Sequence, residues 1–488
     1  MTLRIYSTLS RRKEVFEPIG DPVRFYCCGM TPKFYPHLGH AKLFVTMDVI
    51  RRYLHERGYQ VRYVQNFTDV DDKIIARSQS EGSSPEEVVK RYTEGYFQSM
   101  AALNVELADA YPRVTETIDA IIEMIVGLIE NGHAYAPGNG DVYFRVASFP
   151  GYGKLSRRTA EDVLAGARVH IGEEKEDPRD FALWKASKPG EPAWSSPWGA
   201  GRPGWHIECS AMSRQQLGDQ IDIHAGGPDL IFPHHENEIA QSESFTRRDP
   251  FAKYWVHIGQ LNVGNEKMAH SLNNFTTVLD VLKVHHPMVL RLYYLSQHYR
   301  TPVNFTPESL EQAQKPAERL LETKLLLQQM SSTSSTTSRD TLTRQAVSEL
   351  ELQAQELKEY FYAAMDDDFN TALALSHLYT FGRELARLHM AIYKLDNQLR
   401  SQIMTISQQF NHLLNILGLA LPDDPAELQR NRGISVSIDI AAIERLVSER
   451  DLLRRQKRWP EADAIRRQLA EQGVILEDSP AGTTWRRG

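Results

Sequence analysis

Cysteine is scarce. Cys27, Cys28 and Cys209 are the only three in 488 residues, and two of them are adjacent. Such a set makes no disulfide framework, so a reducing compartment is expected. Long apolar runs are also missing. No stretch approaches the length of a membrane span, and the opening Met1-Thr2-Leu3-Arg4-Ile5-Tyr6 lacks the apolar core of a signal peptide. A cytoplasmic protein without membrane contact is expected. A surplus of positive charge is absent too. The formal net charge is −7, so any nucleic-acid contact must come from a local basic patch, and the last residues supply one. No internal repeat is visible. What remains is the composition of a soluble globular protein, 41% hydrophobic and 24% charged. The length allows roughly two to four domains.

The stretch that organises the chain is Cys28-Gly29-Met30-Thr31-Pro32-Lys33-Phe34-Tyr35-Pro36-His37-Leu38-Gly39-His40. An apolar run, Val23 to Cys27, reads as a strand before it, and Lys42 to Gly58 reads as a helix after it. A small-residue loop therefore leads into a helix N-terminus, whose free N–H groups favour an anion. His37 and His40, three apart, would add donors on one side. Gly39 would let a flat ligand approach the backbone. That suits a nucleotide triphosphate, although two histidines and a glycine also make an ordinary helix cap.

Gln60 to Phe67 reads as a second strand ending in Thr68-Asp69-Val70-Asp71-Asp72-Lys73. Strand, helix, strand with a polar crossing at the C-terminal end is the pattern of a doubly wound α/β sheet. Helical patterns follow at Ser84–Leu103 and Val114–Asn131. Phe149 to Pro203, rich in Gly, Pro and charge, reads as an insertion. Trp184, Trp194, Trp198 and Trp205 lie within or just beyond it, and tryptophans more often fill cores than bind ligands. The sheet resumes near Gln220–His224 and Tyr254–His257. From Glu308 the pattern is nearly all helical, broken by a low-complexity run, Ser331 to Ser338, that reads as a flexible loop. A polar linker, Pro422 to Gly433, precedes a last segment with two helical patterns and an arginine-rich tail.

Cys209 follows a Gly/Pro-rich turn, and Pro233-His234-His235-Glu236-Asn237-Glu238 opens a helix with proline first. His234 and Glu238 share a helix face. Together with Cys28 they offer two thiolates, an imidazole and a carboxylate, a zinc set. His235 and Glu236 are alternatives, pointing elsewhere on the helix. The bland alternative makes Cys28 and Cys209 buried small hydrophobes, the usual fate of free cysteine.

These residues carry a resemblance that runs nearly end to end. Tyr26 to Thr31, Pro36 to His40, Asn66 to Ile74, Gly201 to Met212, Phe232 to Ser242, Met365-Asp366-Asp367-Asp368-Phe369-Asn370-Thr371 and Gly482 to Trp485 resemble the cysteinyl-tRNA synthetases, a family of class I aminoacyl-tRNA synthetases. The resemblance implies an α/β class I fold: a Rossmann-like parallel sheet with a connective insertion, then an all-α helical bundle and a small C-terminal domain. The implied divisions are 1–120 and 201–260 for the catalytic domain, 121–200 for the insertion, 261–307 for a stem-contact region, 308–421 for the bundle and 434–488 for the anticodon-binding domain. It implies one Zn²⁺ on Cys28, Cys209, His234 and Glu238 that binds the substrate thiol, with ATP and Mg²⁺, cysteine and tRNA(Cys) as partners of a monomer. Gly29, Thr31, Thr68 and Trp205 would line the cysteine pocket, and His224 would lie near the adenylate. His37, Gly39 and His40 would contact ATP, and Lys267, His270 and Ser271 would clamp the pyrophosphate.

The chain departs from the family in two places. The family's Lys-Met-Ser-Lys-Ser loop is Lys267-Met268-Ala269-His270-Ser271 here, and an imidazole is mostly neutral at pH 7. The usual Val-Tyr-Asp after Thr31 is Pro32-Lys33-Phe34, and Lys42 stands where an arginine is usual. Lys33 offers a replacement charge. A degenerate paralogue that binds zinc, cysteine or tRNA without efficient adenylation is the alternative these departures leave open. A cysteine–amino-sugar ligase is a further one, disfavoured by the C-terminal region.

Overall fold

The computed structural model describes residues 2–159, 162, 174–188, 190–263, 266–267, 276–332, 341–392, 395–429, 440–456, 458–471, 474–479 and 482–487. The hairpin β1 (Arg4–Ser7) and β2 (Arg12–Val15) leads into β3 (Val23–Met30), α1 (Leu38–Glu56) and β4 (Val61–Phe67). Helices α2 (Asp72–Glu81), α3 (Pro85–Ala102) and α4 (Ile118–Glu130) follow. The sequence pattern did not reveal α2. It is short and buries only Ile74 and Ser78, so it has little apolar periodicity, but Asp71 caps it by accepting from the Lys73 N–H.

The insertion is a four-stranded antiparallel sheet of β5 (Ala134–Tyr135), β6 (Val142–Phe144), β7 (Phe181–Ala186) and β8 (Gly201–Pro203). Trp184 is fully buried there, as expected of a packing residue. The chain then returns through α5 (Trp205–Leu217), β9 (Ile221–Gly226), α6 (Glu236–Thr246) and β10 (Ala252–His257). The central sheet has the order β10-β9-β3-β4, all parallel. Both faces of this sheet are covered, so β3, β4, β9 and β10 are buried almost throughout rather than at alternate residues. From β3 the chain moves outward to β4, and β9 later pairs on the other side. The crevice beyond the C-terminal ends of β3 and β9 is the switch point where such sheets hold ligands.

Beyond it come β11 (Leu261–Val263), β12 (Glu266–Lys267), α7 (Val278–Leu282), α8 (Pro287–Leu295) and β13 (Val303–Phe305). The bundle follows: α9 (Pro307–Ser332), α10 (Thr341–Asp366), α11 (Thr371–His389), α12 (Asn397–Ile416) and α13 (Pro425–Gln429). Helix α9 runs through Ser332, and the rest of the expected Ser-rich loop lies outside the described residues. The linker expected from Pro422 in fact starts later, because Leu428 of α13 is buried in the main core. The C-terminal unit, α14 (Ile440–Arg455), α15 (Trp459–Glu471), β14 (Val474–Ser479) and β15 (Gly482–Arg487), has its own small core of Val447, Leu453, Ala462, Ile465, Leu469 and Leu476. Among the described residues no helix is long and apolar enough to cross a membrane.

Two buried polar residues join the bundle to the catalytic body. Arg291 of α8 is wholly buried. It donates to the carbonyls of Leu417 (2.8 Å), Leu103 (2.8 Å) and Asn104 (3.1 Å) and to the Asp48 carboxylate. Gly418, at φ +63°, closes over the guanidinium, and any side chain there would overlap it. Asp368, in the turn between α10 and α11, accepts from Tyr6 N–H (2.9 Å), Tyr299 Oη (2.8 Å) and Arg300 Nε (2.8 Å), while its own N–H donates to the Arg4 carbonyl (3.0 Å).

Candidate active site and metal centre

A cavity of about 440 Å³ opens at the switch point. Its walls come from Cys28–Thr31 after β3, the N-terminus of α1, Trp205, Gly227–Leu230 after β9 and Ile258–Leu261 after β10. Gly29 has a specific reason to be glycine. The β3–β4 register shifts between Cys27 and Met30, and a Cβ at 29 would overlap the Asn66 carbonyl of β4. The Gly29 N–H donates to Asn66 Oδ1 at 2.8 Å.

The helix expected at Lys42 begins earlier, at Leu38, because His37 and His40 form its cap. The His40 N–H donates to His37 Nδ1 (3.2 Å) and the His37 N–H to His40 Nδ1 (3.4 Å). The two rings stack with centroids 3.7 Å apart. With Nδ1 acting as acceptor, each ring carries its proton on Nε2 and is a neutral donor. Burial, then His37 and Lys33, push His40 well below the ordinary histidine range. Gly39 serves this cap first, since a Cβ there would come within 2.9 Å of His37 Cε1. Lys42 faces away from the cavity, buried, donating to the carbonyls of Gly259 (2.6 Å) and Thr301 (2.8 Å).

Cys28 forms the base of the cavity, and there the expected metal donors converge. Cys28 Sγ lies 3.8 Å from Cys209 Sγ and 3.5 Å from Glu238 Oε1, and His234 Nε2 lies 3.1 Å from the same oxygen. A tetrahedral zinc with bonds of about 2.3 Å to sulfur and about 2.0–2.1 Å to nitrogen and oxygen sets edges of about 3.8 Å for S–S, 3.5 Å for S–O and 3.3 Å for N–O. All four donors are buried, and they fit.

A second set, Cys28, His224, His235 and Glu238, lies within the same limits. His235 therefore does not point elsewhere as expected; its Nε2 is 3.4 Å from Cys28 Sγ. Phe232 is extended ahead of proline (φ −140°, ψ 132°), and the backbone is helical from Pro233 on, so His234 and His235, four and three residues before Glu238, both reach its side of the helix. His235 fits the tetrahedron less well, with Nε2 3.9 Å from Glu238 Oε1. His224 is occupied too: its Nε2 pairs with Glu238 Oε2 at 2.8 Å. His224 is fully buried behind the cluster and is not among the residues that line the cavity, contrary to the placement expected beside an adenylate.

The supports of the first set are in place. His234 Nδ1 pairs with His206 Nδ1 (2.9 Å), which leaves Nε2 for the cluster. His235 Nδ1 pairs with His257 Nε2 (2.7 Å), and His257 Nδ1 with Thr8 Oγ1 (2.8 Å). A hydrogen bond from the Cys28 thiol holds Cys209 down to about 6, while burial pushes Cys28 up. Burial opposes charge on Glu238 and His234. Yet His224 and His234 hold Glu238 down to about 2, and Glu238 with Cys209 holds His234 up to about 10. These shifts all favour the charged forms of Cys209, Glu238 and His234, and a bound cation would take the place of the proton on His234.

Trp205 departs from the packing role expected of the tryptophans. It is 41% exposed, lines the cavity and sits 4.3 Å from the His234 ring. Thr31 lines the cavity as well. Thr68 is buried and donates to Glu208 Oε2 at 3.2 Å, outside the lining. Lys267 belongs to β12 by its backbone pairing with Asn262, and His270 and Ser271 lie outside the described residues. His206, His224, His235 and His257 were not read as supports from sequence. The available signal was density, five histidines between 206 and 257.

A family described as tRNA synthetases class I (C) catalytic domain matches residues 15–315, a DALR domain matches 360–421, and a cysteinyl-tRNA ligase anticodon binding domain matches 441–486. The chain is 48% identical to a cysteine–tRNA ligase of Dehalococcoides mccartyi, covering 99% of both chains, and 47% identical to one of Pseudomonas aeruginosa, again over 99% of both. In fold it is similar to Mycobacterium tuberculosis methionyl-tRNA synthetase in complex with methionyl-adenylate, with a TM-score of 0.59 at 15% identity, covering 80% of this chain and 90% of that one. The chain belongs to the cysteine–tRNA ligase family of class I aminoacyl-tRNA synthetases.

Proposed function

We propose that this chain activates cysteine with ATP and transfers it to tRNA(Cys). The observation that carries the proposal is the juxtaposition of two sites in one cavity. A buried donor set with zinc spacing reaches the cavity through Cys28, and the His37–His40 cap of α1 lines the same cavity. In the first step a carboxylate oxygen of cysteine attacks the α-phosphorus of ATP. The bond to the bridging oxygen breaks, and pyrophosphate leaves with that oxygen. In the second step a hydroxyl of the terminal adenosine of tRNA attacks the acyl carbon, and AMP leaves. Positioning and charge stabilisation carry both steps.

Cys28, Cys209, His234 and Glu238 would hold zinc, which when bound offers a partner for a substrate thiolate that a serine hydroxyl cannot match. The His37 and His40 Nε2–H groups and the free N–H groups of α1 would hold phosphate oxygens. Trp205 would cover the amino-acid side. The C-terminal unit would read the anticodon, and its exposed Trp459, a residue the sequence did not single out, offers a stacking surface. Not every arginine of that unit is free for tRNA. Arg450 is buried and, like Arg454, donates to Thr483 Oγ1. Cysteine-dependent ATP–pyrophosphate exchange tests the proposal. Robust exchange that serine does not support is expected, followed by charging of tRNA(Cys). Zinc or tRNA binding without exchange would overturn it in favour of a paralogue inactive in adenylation.

A further inference from the structure

The nucleotide side of the cavity needs positive charge, and the histidines do not supply it. His37 and His40 are neutral donors locked into the cap of α1. Among the described lining residues the only full cations are Lys33 and Lys73, and Asp229 is the only carboxylate. Lys33 sits in the loop between β3 and α1, which is held on both sides. Pro32 is buried, the Lys33 N–H donates to the Thr31 carbonyl (2.8 Å), and Phe34 and Tyr35 pack on Tyr92 of α3. Lys73 sits in the first turn of α2. Two helix N-termini and two ammonium groups therefore converge on one cavity.

The placement is costly without an anion. Burial lowers the proton affinity of Lys33, Lys73 lowers it further, and only Asp71 acts against them. Lys33 in turn depresses His40, and Lys33, His40 and Lys73 line the same cavity. Neither lysine has an ion pair within 4 Å among the described residues. Like charges gathered in a partly desolvated cavity are arranged for a polyanion.

We propose that Lys33, with Lys73 beside it, binds the triphosphate of the nucleotide and holds the pyrophosphate as it leaves. The inference rests on the adenylation reaction proposed above. It also accounts for two departures of the sequence at once: a lysine appears at position 33 where the family pattern has tyrosine, and histidine appears at 270 where the pattern has lysine. One cation is moved from position 270 to position 33, in the loop before α1.

The test is Lys33→Met and Lys33→Arg, assayed by cysteine-dependent ATP–pyrophosphate exchange and by calorimetric binding of Mg·ATP and of magnesium pyrophosphate. Lys33→Met should lower kcat/KM for ATP by about tenfold or more and weaken both ligands by a similar factor, while Lys33→Arg stays within about threefold of the parent. His270→Lys should recover part of the loss in the Lys33→Met background. Zinc content should not change. Lys33→Met within about twofold of the parent in all three measurements overturns the inference. So does Lys33→Arg as impaired as Lys33→Met, which would assign the effect to loop shape. If the parent shows no exchange but Lys33→Met still weakens Mg·ATP, the phosphate role stands and the reaction proposed above fails. A parent that binds neither Mg·ATP nor pyrophosphate overturns both.

Discussion

Two overlapping donor sets share Cys28 and Glu238, and metal affinity can tell them apart. A four-ligand zinc site is worth about 10–16 kcal/mol, so one ligand carries about 2.5–4 kcal/mol, or two to three powers of ten in affinity. Cys209→Ser and His234→Ala should each weaken zinc by that amount, because both belong to the set whose edges match a tetrahedron. His224→Ala removes the hydrogen bond to Glu238 Oε2 rather than a ligand, so about 10- to 100-fold is expected. His235→Ala should cost less than about tenfold, since its Nε2 stands 3.9 Å from the shared carboxylate oxygen. Competition with a chromophoric chelator gives the dissociation constants, and elemental analysis after dialysis gives the stoichiometry. Parent-like affinity in Cys209→Ser together with a hundredfold loss in His235→Ala would refute this assignment and move the metal to the second set.

Other perturbations follow from the buried contacts. Arg291→Met takes the guanidinium from the Leu103 and Leu417 carbonyls and leaves Asp48 to Arg52 and the Glu106 N–H alone, and should cost about 2–4 kcal/mol in chemical denaturation of the catalytic body and bundle; a loss below about 1 kcal/mol would mean that the guanidinium is not what joins them. The same pair sets an acid limit. Burial would raise Asp48, but Arg291 and then Arg52 outweigh it and hold the carboxyl below its usual range. Its contribution is complete above the unfolded value of about 3.9 and disappears as the pH falls through the lower folded value, so Asp48→Asn should flatten the acid side of the stability profile, and an unchanged profile would count against the pairing. Removing residues after Gln429 should weaken tRNA charging in a salt-sensitive way while sparing exchange, because Leu428 stays in the bundle core; full charging by the truncated, folded protein would remove the anticodon role.

The sheet and the Cys28–Cys209–His234–Glu238 cluster were legible because each left a local mark. An apolar run gave β3, and the His234–Glu238 spacing gave one face of the cluster. The direction of His235 was missed: its spacing of three from Glu238 is readable, but its approach to Cys28 is not. Nor was the second duty of His224, whose partner lies 14 residues away on α6. Gly39 was read as room for a ligand, but its first neighbour is the His37 ring. Arg450 is one of the arginines of the last segment, and its burial against β15 could not be read from its place in the sequence. In each case the missing information is a tertiary contact, which neither periodicity nor residue type encodes.

The Asp368 junction bears on how this protein can be divided. The catalytic match ends at 315 and the DALR match begins at 360, which invites a cut in α9. Such a fragment would keep Tyr6, Tyr299 and Arg300 but lose the carboxylate all three converge on, along with the donor to the Arg4 carbonyl. Arg300 would be left stacked on Tyr6 (4.2 Å) without its anion, next to Thr301, whose carbonyl holds Lys42 of α1. The first strand and the helix that carries the His37–His40 cap would both be loosened by a cut made more than thirty residues before Asp368. A minimal activating enzyme therefore has to retain the turn at 366–370, supplied within the chain or grafted back across the gap.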